Sequence, residues 1–312
     1  MLREYALDPD VLTNWNDFRY FIEKFGIPEG RLISKYPKKW KYLVYLSLAK
    51  NTKYPKSAEI EINLKEEIDR IDPNIIAPVR KNYFWDHNKS WLISAVEEHK
   101  RKAFHAIISN ERHDECRELL VAEFLNEKHE LWKTQRELCI ARDNTELANA
   151  LSLFLQISKD VVFVDKHFRP GRNEFIYPFQ HYLKELFVCE YKRKKINVKI
   201  FTGYDPKHDH VWFYKACDEH FSCIIPQGLS VRICRIIFSD DDVKSDDMHN
   251  RYILSERGGV RFAWGLDSGK PNKNDDVSFL DENVYQKRWS QYCSGNNAYD
   301  IIDYYVINGK KK

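Results

Sequence analysis

The hydrophobic period of the chain changes at Lys159, and this change limits the folds that the second half can adopt. Val161-Val162-Phe163-Val164 is a continuous apolar, β-branched run, which is typical of a strand buried on both faces of a sheet. Further helical and strand-like patterns follow in alternation, as helix 173–187, strand 197–203, helix 212–221 and strand 229–238. This order implies right-handed parallel crossovers, so we predict an α/β domain whose ligand edge lies at the carboxyl ends of its strands.

The first half has a helical period instead. Apolar residues recur three and four positions apart, which predicts helices near 18–25, 40–46, 64–71, 90–108, 115–133 and 144–156. The sequence therefore predicts an N-terminal α-helical domain over residues 1–156, followed by an α/β domain with a mixed sheet over residues 157–312.

Composition excludes several classes of protein. With 312 residues, 43% of them hydrophobic, the chain can bury a core in each of two domains. No apolar run approaches the roughly 20 residues of a membrane span and the N-terminus has no apolar signal core, so we expect a cytoplasmic protein.

Seven cysteines without a C-x2-C pair indicate free thiols, and we predict neither a metal site nor a cofactor. A net charge of +3 does not by itself mark a nucleic-acid binder.

The stretch from Met248 to Asp267 places polar groups at fixed offsets inside two short apolar runs. We interpret it as two strands joined at Gly258-Gly259, which is a strong hairpin signal. Residues two apart share a face of a strand, so His249 and Arg251 point the same way, and an imidazole beside a guanidinium suits a phosphate. At Gly265 the backbone can approach a ligand closely.

The spacing His249-x-Arg251-x4-Glu256, followed by a strand and Gly265, resembles the H-x-K-x4-D...G-S motif of the phospholipase D superfamily. Arg251 stands where that family has Lys, Glu256 where it has Asp, and Gly265-Leu266-Asp267 where it has Gly-Ser and a downstream Asn. The resemblance implies that His249 is the nucleophile or general acid, Arg251 the phosphate clamp and Glu256 the carboxylate that orients a histidine.

The order of elements before this motif also resembles one half of a phospholipase D fold, over roughly the second half of the chain. The resemblance implies that Asp165 and His167, after the first strand, edge a substrate pocket together with Gly265 and Asp267. His167-x-Arg169-x4-Glu174 repeats the motif spacing, but we interpret this as coincidence because Pro170-Gly171 makes it a loop. The pattern is also similar to bacterial phospholipase D-like proteins of phage-defence gene clusters.

Two basic segments are candidates for nucleic-acid contact. The first contains Lys38 and Lys39, with Tyr36 and Trp40 interleaved, and the second contains Lys194 and Lys195. Cations and rings together can bind a phosphate backbone and stack on bases, whereas charge runs are more often solvated faces beside buried rings. For the first segment we favour the solvated face, and for the second both interpretations stand. An acidic run at residues 240–247 argues against a simple nuclease.

Two functions follow from these patterns. The first is a metal-independent phosphodiesterase that serves as a nuclease or a nucleic-acid-processing component of a bacterial anti-phage system. It would act as a homodimer in which one His249 attacks phosphorus and the second protonates the leaving oxygen. The alternative is a non-catalytic phospholipase D-like module that binds nucleic acid or a partner protein in a defence complex.

Overall fold

We describe the protein from a computed structural model that covers residues 1–51, 58–188, 191, 195–237, 250–270, 272–293 and 299–309. The chain forms two compact units. The N-terminal unit comprises Leu2–Gln135 with Glu190–Lys192, and the C-terminal unit comprises Arg136–Cys189 and Arg193–Lys312 with Met1.

The N-terminal unit is built on a parallel sheet of four short strands in the order β2-β1-β3-β4. The strands are β1 (Arg3–Leu7), β2 (Arg31–Ile33), β3 (Ala106–Ser109) and β4 (Leu119–Val121). The helices are α1 (Trp15–Glu23), α2 (Trp40–Lys50), α3 (Ala58–Arg70) and α4 (Trp91–Arg101).

This sheet corrects the prediction that the first half is purely helical, while the α/β class of the chain is confirmed. β3 follows α4 closely, and its buried residues Ile107 and Ile108 continue the apolar spacing of that helix. The predicted helix 115–133 is also wrong, because Leu120 lies in β4, parallel to β3. Short strands that are buried on both faces cannot be separated from buried helix by periodicity alone.

The C-terminal unit contains a mixed sheet of eight strands in the order β12-β8-β7-β6-β9-β10-β11-β5. They are β5 (Glu137–Ala141), β6 (Asp160–Val164), β7 (Asn197–Gly203), β8 (Ser230–Ile236), β9 (Arg251–Ser255), β10 (Gly258–Phe262), β11 (Asn274–Phe279) and β12 (Ile301–Asn308). The helices are α5 (Asn144–Ala150), α6 (Ser152–Ile157), α7 (Asn173–Phe187), α8 (His210–Ala216) and α9 (Glu282–Cys293).

The predicted βαβαβ order is confirmed, since β6 pairs parallel with β7 and β7 with β8. α7 buries one apolar face, on which Phe179 lies 5.0 Å from the Phe163 ring of β6. The C-terminal unit begins at Arg136, whereas the period change suggested residue 157. β5 is part of this unit because it pairs antiparallel with the distant β11, a pairing that local periodicity does not reveal.

The β9–β10 hairpin forms as predicted, but its turn lies at Glu256-Arg257 rather than at the glycine pair. Gly258 pairs with Ser255 and is already part of β10. A Cβ at Gly259 would lie 2.8 Å from Leu254 Cδ2 and 2.8 Å from Leu280 Cδ1. Close packing therefore explains Gly259.

Within the part of the chain that is described, no helix has the length and apolar character needed to span a bilayer.

Candidate functional site

Three strand ends meet at one edge of the C-terminal sheet. β6 is antiparallel to β9, with Val164 opposite Tyr252, and β9 is antiparallel to β10, with Arg251 opposite Phe262. The carboxyl ends of β6 and β10 therefore lie beside the amino end of β9. This topology gathers five predicted residues, which we call the strand-end site: Asp165, His167, Arg251, Gly265 and Asp267.

The Asp165 side chain holds together the loop after β6 and the loop after β10. Its side chain is 1% exposed and accepts hydrogen bonds from the backbone N–H of His167 at 2.9 Å and of Leu266 at 2.9 Å. Burial raises the pKa of Asp165, while these N–H groups and the Arg251 charge oppose the rise. Because its oxygens are already held by backbone, Asp165 positions the loops rather than facing a ligand.

The loop after β10 is held by a second buried carboxylate, Asp275. It accepts from the backbone N–H of Ala263 at 3.0 Å, of Trp264 at 3.0 Å and of Gly265 at 3.3 Å. A Cβ at Gly265 would collide with Asp267 Oδ1 and would lie 3.3 Å from Asp165 Oδ2. Gly265 is thus required by the neighbouring carboxylates.

Two residues that we did not predict complete the inner layer. Arg142, just after β5, donates to Asp267 Oδ1 at 2.7 Å. The Tyr182 hydroxyl of α7 is buried and has no hydrogen-bond partner among the described residues. Burial and the charges of Asp275, Asp267 and Asp165 raise the Tyr182 pKa. A lone polar atom on the otherwise apolar face of α7 was the signal available for Tyr182, whereas nothing in the sequence marks Arg142.

The rim of the site is cationic. The His167 imidazole reaches solvent, but the surrounding protein removes enough of its water to lower its pKa to about 4, with Arg251, Lys166 and Arg169 acting in the same direction. His167 is therefore neutral at physiological pH. Arg251 is half-buried at the start of β9.

Charge is thus arranged in two layers. The inner carboxylates are held by backbone N–H groups and by Arg142, whereas the cations and the neutral imidazole lie at the rim. Arg169 is also tethered, since its Nη2 lies 3.4 Å from Asp205 Oδ2 after β7. Such a rim attracts an anion, and a guanidinium beside an imidazole can bind phosphate oxygens.

Glu256 does not belong to this site, which corrects its predicted role. It lies at the opposite end of β9, where its carboxylate accepts from the backbone N–H of Lys159 at 3.1 Å and of Asp160 at 3.0 Å. Glu256 lies five positions along the chain from Arg251, about 17 Å at 3.4 Å per residue. Glu256 therefore caps the start of β6 and cannot orient an imidazole at the strand-end site.

Several predicted residues lie outside the described residues: His249, Lys194 and the acidic run at 240–247. Lys195 is described and exposed. In the N-terminal unit Lys38 and Lys39 are also exposed, at the start of α2.

The aromatic rings beside Lys38 and Lys39 are buried. The Tyr36 hydroxyl donates to the Ser94 carbonyl at 2.8 Å, and Trp40 Nε1 donates to the Leu7 carbonyl at 2.6 Å. These rings cannot stack on bases, in agreement with the solvated-face interpretation that we favoured.

The N-terminal unit contains a crevice that sequence reasoning missed because it missed the strands. A cavity of about 1070 Å³ opens at the carboxyl ends of β1 and β3 and is lined by Asp8, Asp10, Asp17, Glu111 and Glu123 among others. Chain connections from β1 and β3 diverge here, which is where open α/β sheets bind ligands. Asp8 is 7% exposed, and burial raises its pKa to about 6 although Ser109 Oγ donates to it at 2.7 Å.

His99, Cys116 and Glu118 of the same unit bring possible metal-ligand atoms within 4.8 Å of one another. Nδ1 of His99, however, accepts the Phe104 N–H at 3.2 Å, so the ring proton lies on Nε2, which faces Glu118 Oε2 at 3.5 Å. Metal binding at Nε2 would move the ring proton to Nδ1 and break the hydrogen bond from Phe104, so this donor set is better explained as a hydrogen-bonded group.

No protein-family model matches the chain, and no curated protein matches it. One solved structure with some similarity is that of TrmBL2, an archaeal chromatin protein described as showing a novel mode of DNA binding. The similarity covers 85% of this chain and 83% of that chain at 10% sequence identity, with a TM-score of 0.28. A TM-score this low does not establish a common fold, so DNA binding is stated here of that protein alone.

Proposed function

We propose that the C-terminal unit is a non-catalytic module that binds a phosphate diester of nucleic acid at the strand-end site. The observation that carries this proposal is that the carboxyl end of β6, which leads to His167, lies beside the amino end of β9, which carries Arg251. Arg251, Lys166 and Arg169 are near enough to His167 to contribute to its lowered pKa. Arg251 supplies a charge and a planar set of donors for phosphate oxygens, and a neutral imidazole adds one donor.

The inner carboxylates favour binding over catalysis. Asp165 accepts two backbone N–H groups and Asp275 accepts three, and Glu256 is held at the far end of β9. Proton transfer requires a group that can reach the reacting oxygen, which these three carboxylates cannot do where they are held.

Binding of labelled single-stranded DNA and RNA, measured by fluorescence anisotropy, tests the proposal. Arg251→Gln is expected to weaken binding about tenfold. It should also reduce the slope of log affinity against log salt concentration by about one, since one fewer counterion is released. Arg261→Gln is the matched control, because Arg261 is an exposed arginine on the adjacent strand β10. It pairs with Tyr252 and therefore lies on the other face of the sheet from Arg251. Equal losses in both variants, or none in Arg251→Gln, would contradict the proposal.

A second candidate, a metal-independent phosphodiesterase, is favoured by the position of the exposed His167 beside Arg251 at the strand-end site. A neutral imidazole is the nucleophilic form, and the adjacent Arg251 can stabilise charge on the phosphoryl oxygens. In this reaction an imidazole nitrogen forms a bond to phosphorus, the bond to the leaving oxygen breaks and that oxygen takes a proton from solvent, and water then hydrolyses the phosphorylated imidazole, which restores the neutral ring.

Hydrolysis of bis(p-nitrophenyl) phosphate in the presence of EDTA separates the two candidates. Activity that is lost in His167→Ala but kept in His249→Ala would assign the nucleophile to His167. The reverse result would assign it to His249, as the phospholipase D resemblance implies. Wild-type protein that binds nucleic acid without hydrolysing the ester supports the binding module.

A further inference from the structure

A cavity in the C-terminal unit opens on the face of the eight-stranded sheet that carries α9. It has a volume of about 380 Å³ and lies over the first residues of β6, β7 and β8. α9 packs on this face farther along the strands, where the Tyr292 ring lies 5.2 Å from the Phe201 ring of β7. Trp289 and Cys293 of the same helix line the cavity. Its volume is that of a site for a small molecule.

Two cations lie side by side in this cavity. Lys199 of β7 is the direct register partner of Arg232 of β8, so the two side chains leave the same face of the sheet. Like charges directly opposite each other on neighbouring strands repel and destabilise the pair of strands. The sheet therefore holds two positive charges together at a cost in stability, and packing gives no reason for this arrangement.

Neither cation is neutralised by another side chain in the part of the chain that the structure describes. Asp160 lines the cavity, but its Oδ1 accepts from Asn197 Nδ2 at 2.6 Å and its Oδ2 lies 3.4 Å from Lys159 Nζ. The Arg232 guanidinium lies over the Tyr304 ring, 5.2 Å from its centroid. A ring beneath the guanidinium plane leaves the N–H donors at its edge available to a ligand.

Apolar side chains flank the two cations. Val162 of β6 pairs with Lys199, and Val306 of β12 pairs with Arg232, so all four residues form one row across the sheet. The half-buried Trp289 adds an aromatic ring to the cavity. Charge at the centre with apolar groups around it suits an anion that carries an apolar or planar group.

We propose that this cavity binds a small phosphate monoester whose organic part is apolar or planar. A phosphate monoester carries a charge of about −1.5 to −2 at neutral pH, which matches two cations, whereas a carboxylate carries only one charge. Arg232 offers a planar fork of donors to two phosphate oxygens, and Lys199 offers a compact charge. The strand-end site lies at the opposite end of β6, so this proposal does not rest on it.

Isothermal titration calorimetry of the full chain with phenyl phosphate tests the proposal. Lys199→Met and Arg232→Gln are each expected to weaken binding about tenfold or more. Arg261→Gln is the matched control, because Arg261 is an exposed cation on the same face of the sheet, three strands away from β7. Equal weakening in the control, or unchanged binding in both cavity variants, would overturn the proposal.

Arg251→Gln separates this cavity from the strand-end site. Binding of phenyl phosphate should persist in Arg251→Gln, since Arg251 lies beyond the opposite end of β6. Binding that is lost in Arg251→Gln and kept in Lys199→Met would assign phenyl phosphate to the strand-end site and overturn the proposal.

Inorganic phosphate and benzoate test the class of ligand. Each should bind about tenfold or more weakly than phenyl phosphate, because the first lacks the ring and the second lacks the second charge. Trp289→Leu should weaken binding of phenyl phosphate and leave that of inorganic phosphate unchanged. Inorganic phosphate that binds as tightly as phenyl phosphate would contradict a role for the organic part.

Thermal unfolding distinguishes a ligand-binding pair from a structural one. Without ligand, Lys199→Met should have a Tm equal to or above that of the wild type, because the substitution removes a repulsion between neighbouring strands. A lower Tm in Lys199→Met would show that Lys199 stabilises the sheet and would overturn the argument from paired charges.

Discussion

Asp165 and His167 illustrate what single positions in a sequence can reveal. Both were predicted at the strand-end site because they follow a recognisable strand, and the carboxyl end of that strand does lie at the edge where Arg251 and Gly265 are found. Arg142 and Tyr182 were not predicted, because their contacts with the site carboxylates come from distant segments. Local spacing can locate a strand end, but it cannot identify the residues that pack beneath it.

Asp8 provides a test of the crevice in the N-terminal unit. Its pKa is raised to about 6 in the folded protein from an ordinary 3.8, so the wild type should lose stability as pH rises through this interval. Asp8→Asn keeps an acceptor for the Asp10 N–H and a donor toward Ser109, and it cannot ionise. Between about pH 4 and pH 7 we expect the wild type to lose on the order of 1 to 3 kcal/mol in its free energy of unfolding. The variant should not show this loss.

Urea unfolding of both proteins across that pH range measures the difference. Stability curves of wild type and Asp8→Asn that run parallel with pH would show that Asp8 ionises normally in the folded protein.

Strands and turns account for most differences between prediction and structure. Strand β6 and helix α7 were predicted because each has a clear period. β1 and β4 were missed because strands of five and three residues are too short to show a recognisable hydrophobic period. The hairpin was found but its turn was misplaced, since Gly259 is required by the packing of Leu254 and Leu280 rather than by a turn.

The turn between β9 and β10 leads to a test of Glu256. Glu256→Ala removes the acceptor for the Lys159 and Asp160 N–H groups, so we expect a loss of about 1 kcal/mol in the free energy of unfolding. Because Glu256 is remote from Arg251, nucleic-acid affinity should be unchanged. Chemical denaturation and anisotropy on the same variant measure both effects. Loss of binding without loss of stability would restore the orienting role that the motif spacing suggested.

Gly259 supports a test of packing in the same hairpin. Gly259→Ala forces a Cβ against Leu254 and Leu280, and such overpacking typically costs about 1 to 3 kcal/mol. Gly228→Ala is an unsuitable comparison because Gly228 has a φ of +86°. Gly171→Ala is a better control, since its Cβ would meet His220 at an ordinary 3.5 Å. Equal thermal stability of the two variants would contradict the packing explanation.

The molecule as a whole joins two α/β units, and this organisation was only partly accessible from the sequence. The change of period at Lys159 marked a real change of structure, but it lies inside the C-terminal unit, whose first strand pairs with β11 far along the chain. Each unit places charged residues at the carboxyl ends of strands: carboxylates line the crevice of the N-terminal unit, whereas in the C-terminal unit a cationic rim lies over held carboxylates. The proposed anion site belongs to the cationic edge.

The most direct test of that site is an NMR titration of the His167 imidazole in the full chain with inorganic phosphate and with a dinucleotide. Without ligand, His167 should titrate with a pKa of about 4. A bound phosphate adds negative charge beside the ring, so the pKa should rise toward its ordinary value and anion affinity should increase as pH falls. Arg251→Gln should abolish the ligand-dependent rise, and Arg261→Gln should retain it. A His167 pKa that stays the same at saturating phosphate would contradict an anion site at this edge.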